Sequence, residues 1–300
     1  MTSDRKFAAF ILTHGRANNV TTYRTLRKHG YTGRIILVVD DEDSQLDQYE
    51  QNFPGEVQIF SKEHASHLFD EGDNFTDRRA VVYARNALWE IASNIGVTHF
   101  IELDDDYSNF YYRFDENGMY GNWWARCDWL FNEICDFLDA TPFVTVALSQ
   151  GGDHIGGGAG VKANGALRKA MNAFVCRTDR TFEFPGRINE DTTAYTTLQR
   201  RGVLFLTLLA AQVNQGATQA NSGGLTDIYK AMGTYIKSFY SVMYTPSAVS
   251  VGILKDAGSK GGTKSSGHAR LHHKVNWNAV APLIVRETVK KKAIINVAQT

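Results

Sequence analysis

His99–Tyr107 (HFIELDDDY) is an apolar run that stops at three consecutive carboxylates, Asp104, Asp105 and Asp106. A continuous apolar run of this length reads as a strand buried on both faces, the habit of parallel sheets. In an open α/β sheet, ligands collect beyond the carboxyl ends of the strands. Three acids there are either a polar loop that caps the strand or a site for a cation. Like charges so close repel unless something offsets them, and oxygen-only ligands suit Mg²⁺ or Mn²⁺.

The preceding chain repeats the pattern. Lys6–Thr13 (KFAAFILT) reads as a strand that breaks at His14-Gly15-Arg16, and Asn18 or Asn19 is placed to cap a helix running to His29. Arg34–Val39 (RIILVV) is a second strand and also ends in acids, Asp40-Asp41-Glu42-Asp43. A short helix over Ser44–Asn52 leads to a third strand at Glu56–Phe60. Thr76 or Asp77 then opens a helix to about Asn94, with Val81, Ala84, Leu88, Ile91 and Ile95 on one stripe. Strands alternating with helices predict parallel βαβ units.

Beyond Asp106 the chain turns aromatic, and Trp124, Cys127, Phe131, Ile134 and Leu138 fit one helix face. Further strands are expected at Phe143–Leu148, Met171–Arg177, Val203–Leu209 and Ala248–Leu254, with a helix over Asp227–Met243. Gly151–Gly160 holds six glycines in ten residues but lacks the Gly-Lys-Ser/Thr of a P-loop. It reads as a loop, either mobile on the substrate side or plain surface. Gln212–Thr226 reads as a polar loop that hydrogen-bonds a partner, and Lys255–Lys274 as a basic connection or closing lid.

The 32 basic and 32 acidic residues balance, so no global field marks a nucleic-acid or membrane protein. The balance hides nine Lys/Arg against two acids over Lys255–Lys292. Three scattered cysteines without a C-x-x-C pair predict a reduced, cytoplasmic protein without structural disulfides. No apolar run reaches membrane-spanning length and no signal-peptide cleavage pattern is seen, so no membrane association is expected.

Together these residues outline a nucleotide-sugar site. A cation at Asp104–Asp106 would offset a diphosphate, and Asp40 or Asp41 would read the donor groups of a nucleoside. Arg85 is either a bidentate phosphate ligand or a surface cation. Asp191, in the Asn189-Glu190-Asp191 stretch, is either the general base for an attacking hydroxyl or an acid that favours a helix start.

FILTHGR, LVVDDED, ARNALWEIA and FIELDDDY occur, over residues 7–110, in the order used by the nucleotide-binding half of GT-A glycosyltransferases, which this half resembles. The downstream GRINEDTTAYTTLQRRGVLFLT, the Gln/Asn/Gly stretch and GTYIKSFYSVM are similar to the phage-encoded TET-associated glycosyltransferases. The resemblance implies an α/β fold: a GT-A-like, mostly parallel Rossmann-type sheet flanked by helices. Residues 1–110 would form the donor half and 111–300 the acceptor side with a basic lid, in one continuous domain. It implies donor contacts from Thr13, His14, Gly15, Arg16, Asp40, Asp41, Arg85, Asn86, Asp104 and Asp105. Asp106 is implied as the direct ligand of Mn²⁺ or Mg²⁺, Asp104 as a ribose or metal contact, and a C-terminal histidine (His268, His272 or His273) as completing the metal shell. Asp191, beside Glu190, is implied as base in an inverting transfer. The donor would be a UDP-sugar and the acceptor a 5-hydroxymethylpyrimidine in phage DNA, such as hydroxymethylcytosine, within the host cytoplasm. Gln212, Asn214 and Trp277 are candidate acceptor contacts. A glycan or protein acceptor is the alternative, as is a nucleotidyltransferase, which would need a basic Gly-rich loop near the first strand where only Gly15 and Arg16 stand. A non-catalytic binding module is a third reading, opposed by acids recurring at three places.

Overall fold

The computed structural model describes residues 5–73, 76, 78–164, 168–215, 236–255 and 269–280. A nine-stranded sheet runs in the order β3-β2-β1-β4-β8-β7-β9-β5-β6. Its first half is parallel: β1 (Phe7–Leu12) lies between β2 (Arg34–Asp40) and β4 (His99–Asp104), with β3 (Val57–Phe60) outside β2. Antiparallel β8 (Phe174–Arg177) joins β4 to β7 (Thr145–Ser149), and β9 (Phe205–Gln215) runs parallel to β7. β5 (Tyr107–Phe114) and β6 (Tyr120–Trp124) close the far edge as a hairpin. This is the mixed, mostly parallel α/β sheet that the strand pattern predicts.

Two apolar layers cover the sheet because β1, β2 and β4 are apolar on both faces. One face packs Phe10, Ile36 and Phe100 against α4 (Val82–Asn94) and α7 (Glu190–Gln199). The other packs Ile11, Leu37 and Leu103 with α1 (Thr21–Lys28), α2 (Leu46–Asn52) and α5 (Cys127–Ala140). Between β3 and α4 lies the short α3 (Lys62–Ser66), capped by Ser61. The three cysteines are free and buried. Among the described residues no helix is long and apolar enough to cross a membrane.

Several boundaries differ from the sequence reading. Neither Asn18 nor Asn19 caps α1, which starts at Thr21 without a side-chain cap. Asp77 lies outside the described residues, and α4 begins only at Val82 after a turn at Arg78–Ala80. Trp124 does not share the face of α5; it ends β6 and stands half exposed. The Gly-rich stretch forms a 3₁₀ turn at Gly151–His154 and then α6 (Gly157–Asn164) instead of a loop. The turn into α6 tolerates no side chain at Gly160, where a Cβ would come 2.1 Å from the Ile155 carbonyl oxygen. Gln212–Gln215 belong to β9, while residues 216–235 lie outside the described residues.

At the C-terminal side, α8 (Ile236–Tyr244) leads to β10 (Val249–Lys255), which pairs antiparallel with β11 (Ala269–Val275) before the short α9 (Trp277–Val280). The last six residues of the expected basic connection, together with Val275, thus form a strand, and residues 256–268 lie outside the described residues. Helices α7 and α8 meet through hydroxyls: Thr193 with Ser241 at 3.2 Å and Thr196 with Thr245 at 3.3 Å. The Asn189 amide donates to Ser241 at 2.7 Å along the same seam.

Candidate active site

At the carboxyl ends of β1, β2 and β4 the chain gathers its acids around two arginines. Arg85 projects from α4 and is buried, with 2% of its surface exposed. Its Nε donates to Glu190 at 3.1 Å, its Nη2 to Asp104 at 3.4 Å, and its Nη1 to Glu102 and to the Asn172 carbonyl at 3.2 Å. One guanidinium therefore serves three carboxylates, with Asp191 also in its field. Burial alone would push that guanidinium toward the neutral form, but the acids outweigh it and hold it charged.

The acids bear the cost of sharing. Burial pushes the Glu102 carboxyl up to about 8, although Arg85 pulls against it. Asp104 and Asp191 are raised by burial in the same way, and Glu190 by burial and then by the charge of Asp191. Arg85, expected at a phosphate, thus faces inward as an ion-pair hub. Asn86 is internal as well: its amide donates to the Val82 and Phe184 carbonyls and its oxygen accepts from the Phe184 amide. It fastens the segment before α7 to α4.

At the end of β1, Thr13 donates to Asp105 at 2.8 Å and Arg16 donates to the same carboxylate at 2.6 Å. Burial raises Asp105, and Arg16 and Thr13 pull it back. So the middle acid of the trio secures the turn after β1. His14 donates through Nδ1 to Asp40 at 2.6 Å, and the Gly15 amide donates to Asp43 at 2.6 Å. The buried Lys62 ammonium lies 2.8 Å from Asp40, so His14 and Lys62 outweigh burial and hold that carboxyl low. Asp41 is exposed and accepts the Lys62 amide at 2.9 Å, ahead of α3. Ligand atoms of His14, Asp40 and Asp43 lie within 4.8 Å of one another. Lys62 and the Gly15 amide already supply the positive groups that this trio needs, so it is a hydrogen-bonded turn first.

Asp106 stands apart. Its Oδ1 is buried and receives no hydrogen bond. Burial, and then Asp104 and Asp105, push its carboxyl up to about 6. An orphaned carboxylate oxygen among raised acids is a group that a cation would satisfy. Asp104 and Asp106 offer a hard, oxygen-only donor pair that fits Mn²⁺ or Mg²⁺.

Above this end of the sheet, Asn189 initiates α7 with a left-handed φ of 61° and sets Glu190 and Asp191 in its first turn. Asp191 is buried and accepts the Thr192 amide at 2.5 Å. His273, on β11, lies 3.3 Å from the Asn189 amide. Lys169 donates to Nε2 of His273 at 2.5 Å and to Nε2 of His272 at 3.3 Å. Of the candidate histidines, His272 and His273 converge on Lys169, whereas His268 lies outside the described residues. Gln212 is buried on β9, Asn214 donates to Ser108 at 3.1 Å, and Trp277 stacks parallel to Tyr195 at 6.1 Å.

Sequence reasoning missed three contributors. Glu102 stands two residues before Asp104 and thus on the same strand face, a signal present in FIELD. Lys169 and Asn172 carried no such signal, since each reaches the site only through the path of the chain between α6 and β8.

The class of the protein follows from its family: it is a glycosyltransferase. The chain belongs to the TET-associated glycosyltransferase family, whose signature matches residues 7–224. No curated protein matches it in sequence. Among solved structures, it is similar to glucosyl-3-phosphoglycerate synthase from Mycobacterium tuberculosis in complex with Mn²⁺, UDP and phosphoglyceric acid. That match has 12% identity and a TM-score of 0.44, over 90% of this chain and 87% of the other. Another structure of that synthase matches with 10% identity and a TM-score of 0.46, over 93% of each chain.

Proposed function

We propose that the protein transfers a sugar from a UDP-sugar to the hydroxymethyl oxygen of a 5-hydroxymethylpyrimidine in DNA, with Mn²⁺ or Mg²⁺ and with inversion at the anomeric carbon. The observation that carries the reading is the unpartnered Asp106 Oδ1 beside Asp104, on the sheet end that also carries Glu190 and Asp191 around Arg85. Family membership supports the transfer class. The DNA acceptor rests on the family's description as TET-associated and on the basic stretch after Lys255.

In this reading Asp104 and Asp106 would hold the cation, which would supply charge to offset a diphosphate leaving group. Thr13, His14, Gly15, Arg16, Asp40, Asp41 and Asp105 shape the nucleoside end. His272 and His273 remain the candidates for a histidine beside the cation, and Asn214 and Trp277 are assigned to the acceptor side. Asp191 takes the proton of the acceptor hydroxyl as its oxygen bonds the anomeric carbon. The bond from that carbon to the diphosphate breaks, and UDP leaves with the electron pair. Arg85 and Asn86 act from behind: the guanidinium keeps Glu190 and Asp104 in place, and the amide holds the chain leading to α7.

The test is incubation with Mn²⁺ and a panel of UDP-sugars, with and without hydroxymethylcytosine DNA. UDP release that requires the modified DNA is the expected result. UDP release with a glycan or protein instead moves the acceptor. Pyrophosphate release from a nucleoside triphosphate identifies a nucleotidyltransferase, and no metal-dependent nucleotide binding removes the reading.

A further inference from the structure

The carboxyl end of β7 carries polar groups that the transfer chemistry does not use. Glu102, Phe174 and Ala147 form one row across the neighbouring strands β4, β8 and β7. Asp104 and Ser149 each stand two residues further along their strands, on the same face. Two inter-strand spacings separate them, about 10 Å.

Ser149 is fully buried, and its hydroxyl donates to the Ala211 carbonyl at 2.7 Å. With that proton committed, its oxygen accepts from Nε2 of His154 at 2.8 Å. The contact fixes the tautomer: Nδ1 of His154 carries the lone pair, and it is buried without a partner. Burial, with Arg113 and Arg168 nearby, pushes the imidazole down to about 4, so it stays neutral and accepting at neutral pH. Gln212 sits opposite Ser149 in the β7–β9 register, and its Oε1 is also buried and unpartnered. Gln150 Nε2 and Arg168 Nε make no hydrogen bond either, though Arg168 faces Asp153 at 4.0 Å. His154 and Gln212 are 8% and 6% exposed, so solvent does not satisfy them.

Buried polar atoms without partners are costly, and here two acceptors and two donors belong to residues grouped around Ser149 and the turn that follows it. A polyol matches such a set, because every hydroxyl both donates and accepts. We propose that His154 Nδ1 and Gln212 Oε1 are specificity-determining acceptors for the hydroxyls of the transferred sugar, with Gln150 as a donor beside them. This rests on the donor-site reading above, and the spacing from Asp104 suits a sugar whose diphosphate lies at Asp104–Asp106.

The test is calorimetry with Mn²⁺ and either UDP alone or UDP-glucose, UDP-galactose and UDP-N-acetylglucosamine. His154→Gln keeps a donor for Ser149 and removes the Nδ1 acceptor. It should weaken the best-bound UDP-sugar about tenfold, the size of one hydrogen bond, and leave UDP unchanged. Gln212→Met, of similar shape, should weaken the same UDP-sugar and raise the unfolding temperature of the free protein by about 2 °C, since it removes an unpaired acceptor. If His154→Gln does not fold, Gln212→Met carries the test. Equal losses for UDP and UDP-sugar, or no loss for either, would overturn the assignment. A wild-type protein that binds UDP but none of the sugars overturns it too. A wild-type protein that binds no UDP overturns the donor-site reading first.

Discussion

Asn172 and Asn189 hold left-handed backbone conformations, at φ 63° and 61°, and both turns serve one guanidinium. Asn172 turns its carbonyl to Arg85 Nη1 at 3.2 Å, and Asn189 directly precedes Glu190, which accepts from Arg85 Nε at 3.1 Å. Among the described residues no other non-glycine residue has a positive φ. Asparagine tolerates this region better than most residues, yet such conformations persist only where their surroundings over-determine them. Here the surroundings are the acid cluster itself.

Replacing Asn189 separates backbone from side chain. Asn189→Gly keeps the left-handed turn and loses the 2.7 Å bond to Ser241, so it should cost about 1 kcal/mol. Asn189→Val adds a branched Cβ at positive φ and should cost roughly 2 kcal/mol more. Urea unfolding of both variants checks this. Equal losses would assign the whole effect to the Ser241 bond.

Arg85→Met leaves Glu102, Asp104 and Glu190 without their common partner and should destabilise by about 3–5 kcal/mol. The loss should be larger at pH 8 than at pH 5.5. The Glu102 carboxyl is already pushed up to about 8 with the arginine present. A raised acid contributes stability that is complete below its unfolded pKa and is lost as pH rises through the folded one. Without the guanidinium that loss deepens at high pH. Denaturation curves at the two pH values test it, and a pH-independent deficit would count against the charge argument.

Mn²⁺ binding should compete with protons at Asp106, whose carboxyl is pushed up to about 6. Without metal this group contributes stability that is complete below its unfolded pKa and lost as pH rises through about 6. A bound cation needs the carboxylate, so Mn²⁺ affinity should rise about tenfold per pH unit below 6 and flatten above. Thermal shifts at pH 5 to 8 read this directly. Asp106→Asn should abolish the Mn²⁺-dependent shift; a retained shift would move the cation elsewhere, with His14, Asp40 and Asp43 the next set to test.

Asp191→Asn should leave UDP-sugar affinity unchanged and cut transfer by about 10²–10⁴-fold, the usual range for a lost general base. If affinity falls in parallel, Asp191 is a helix-start residue that supports the donor site. A product that keeps the donor's anomeric configuration would remove the inverting displacement.

Much of the sheet was legible because its strands are apolar on both faces and each ends in a recognisable break. The acids after β2 and β4 were legible for the same reason. The hairpin of β5 and β6 was not, since Tyr107–Trp124 is aromatic without a clear period of two. The Gly-rich stretch misled because glycine argues against helix, whereas the tight approach at Gly160 requires it. For Arg85 the sequence shows a cation on a helix before the acidic strand, which marks proximity to the site. Only the packing of α4 against β4 and α7 reveals that its partners are carboxylates. Lys169 and His273 meet across more than a hundred residues of chain, and no spacing rule reports such a contact.

The seam between α7 and α8 has a thermodynamic consequence. Thr193, Thr196, Ser241 and Thr245 meet there as hydroxyls, and water satisfies a hydroxyl nearly as well as another hydroxyl does. Parting this contact exposes polar area, which lowers the heat capacity where apolar exposure would raise it. Separation along the seam therefore lacks the large positive heat-capacity change that parting the apolar layers on either face of the sheet would carry, so its free energy curves less with temperature. The turn that carries Glu190 and Asp191 is thus fastened to the C-terminal elements by contacts that compete directly with water.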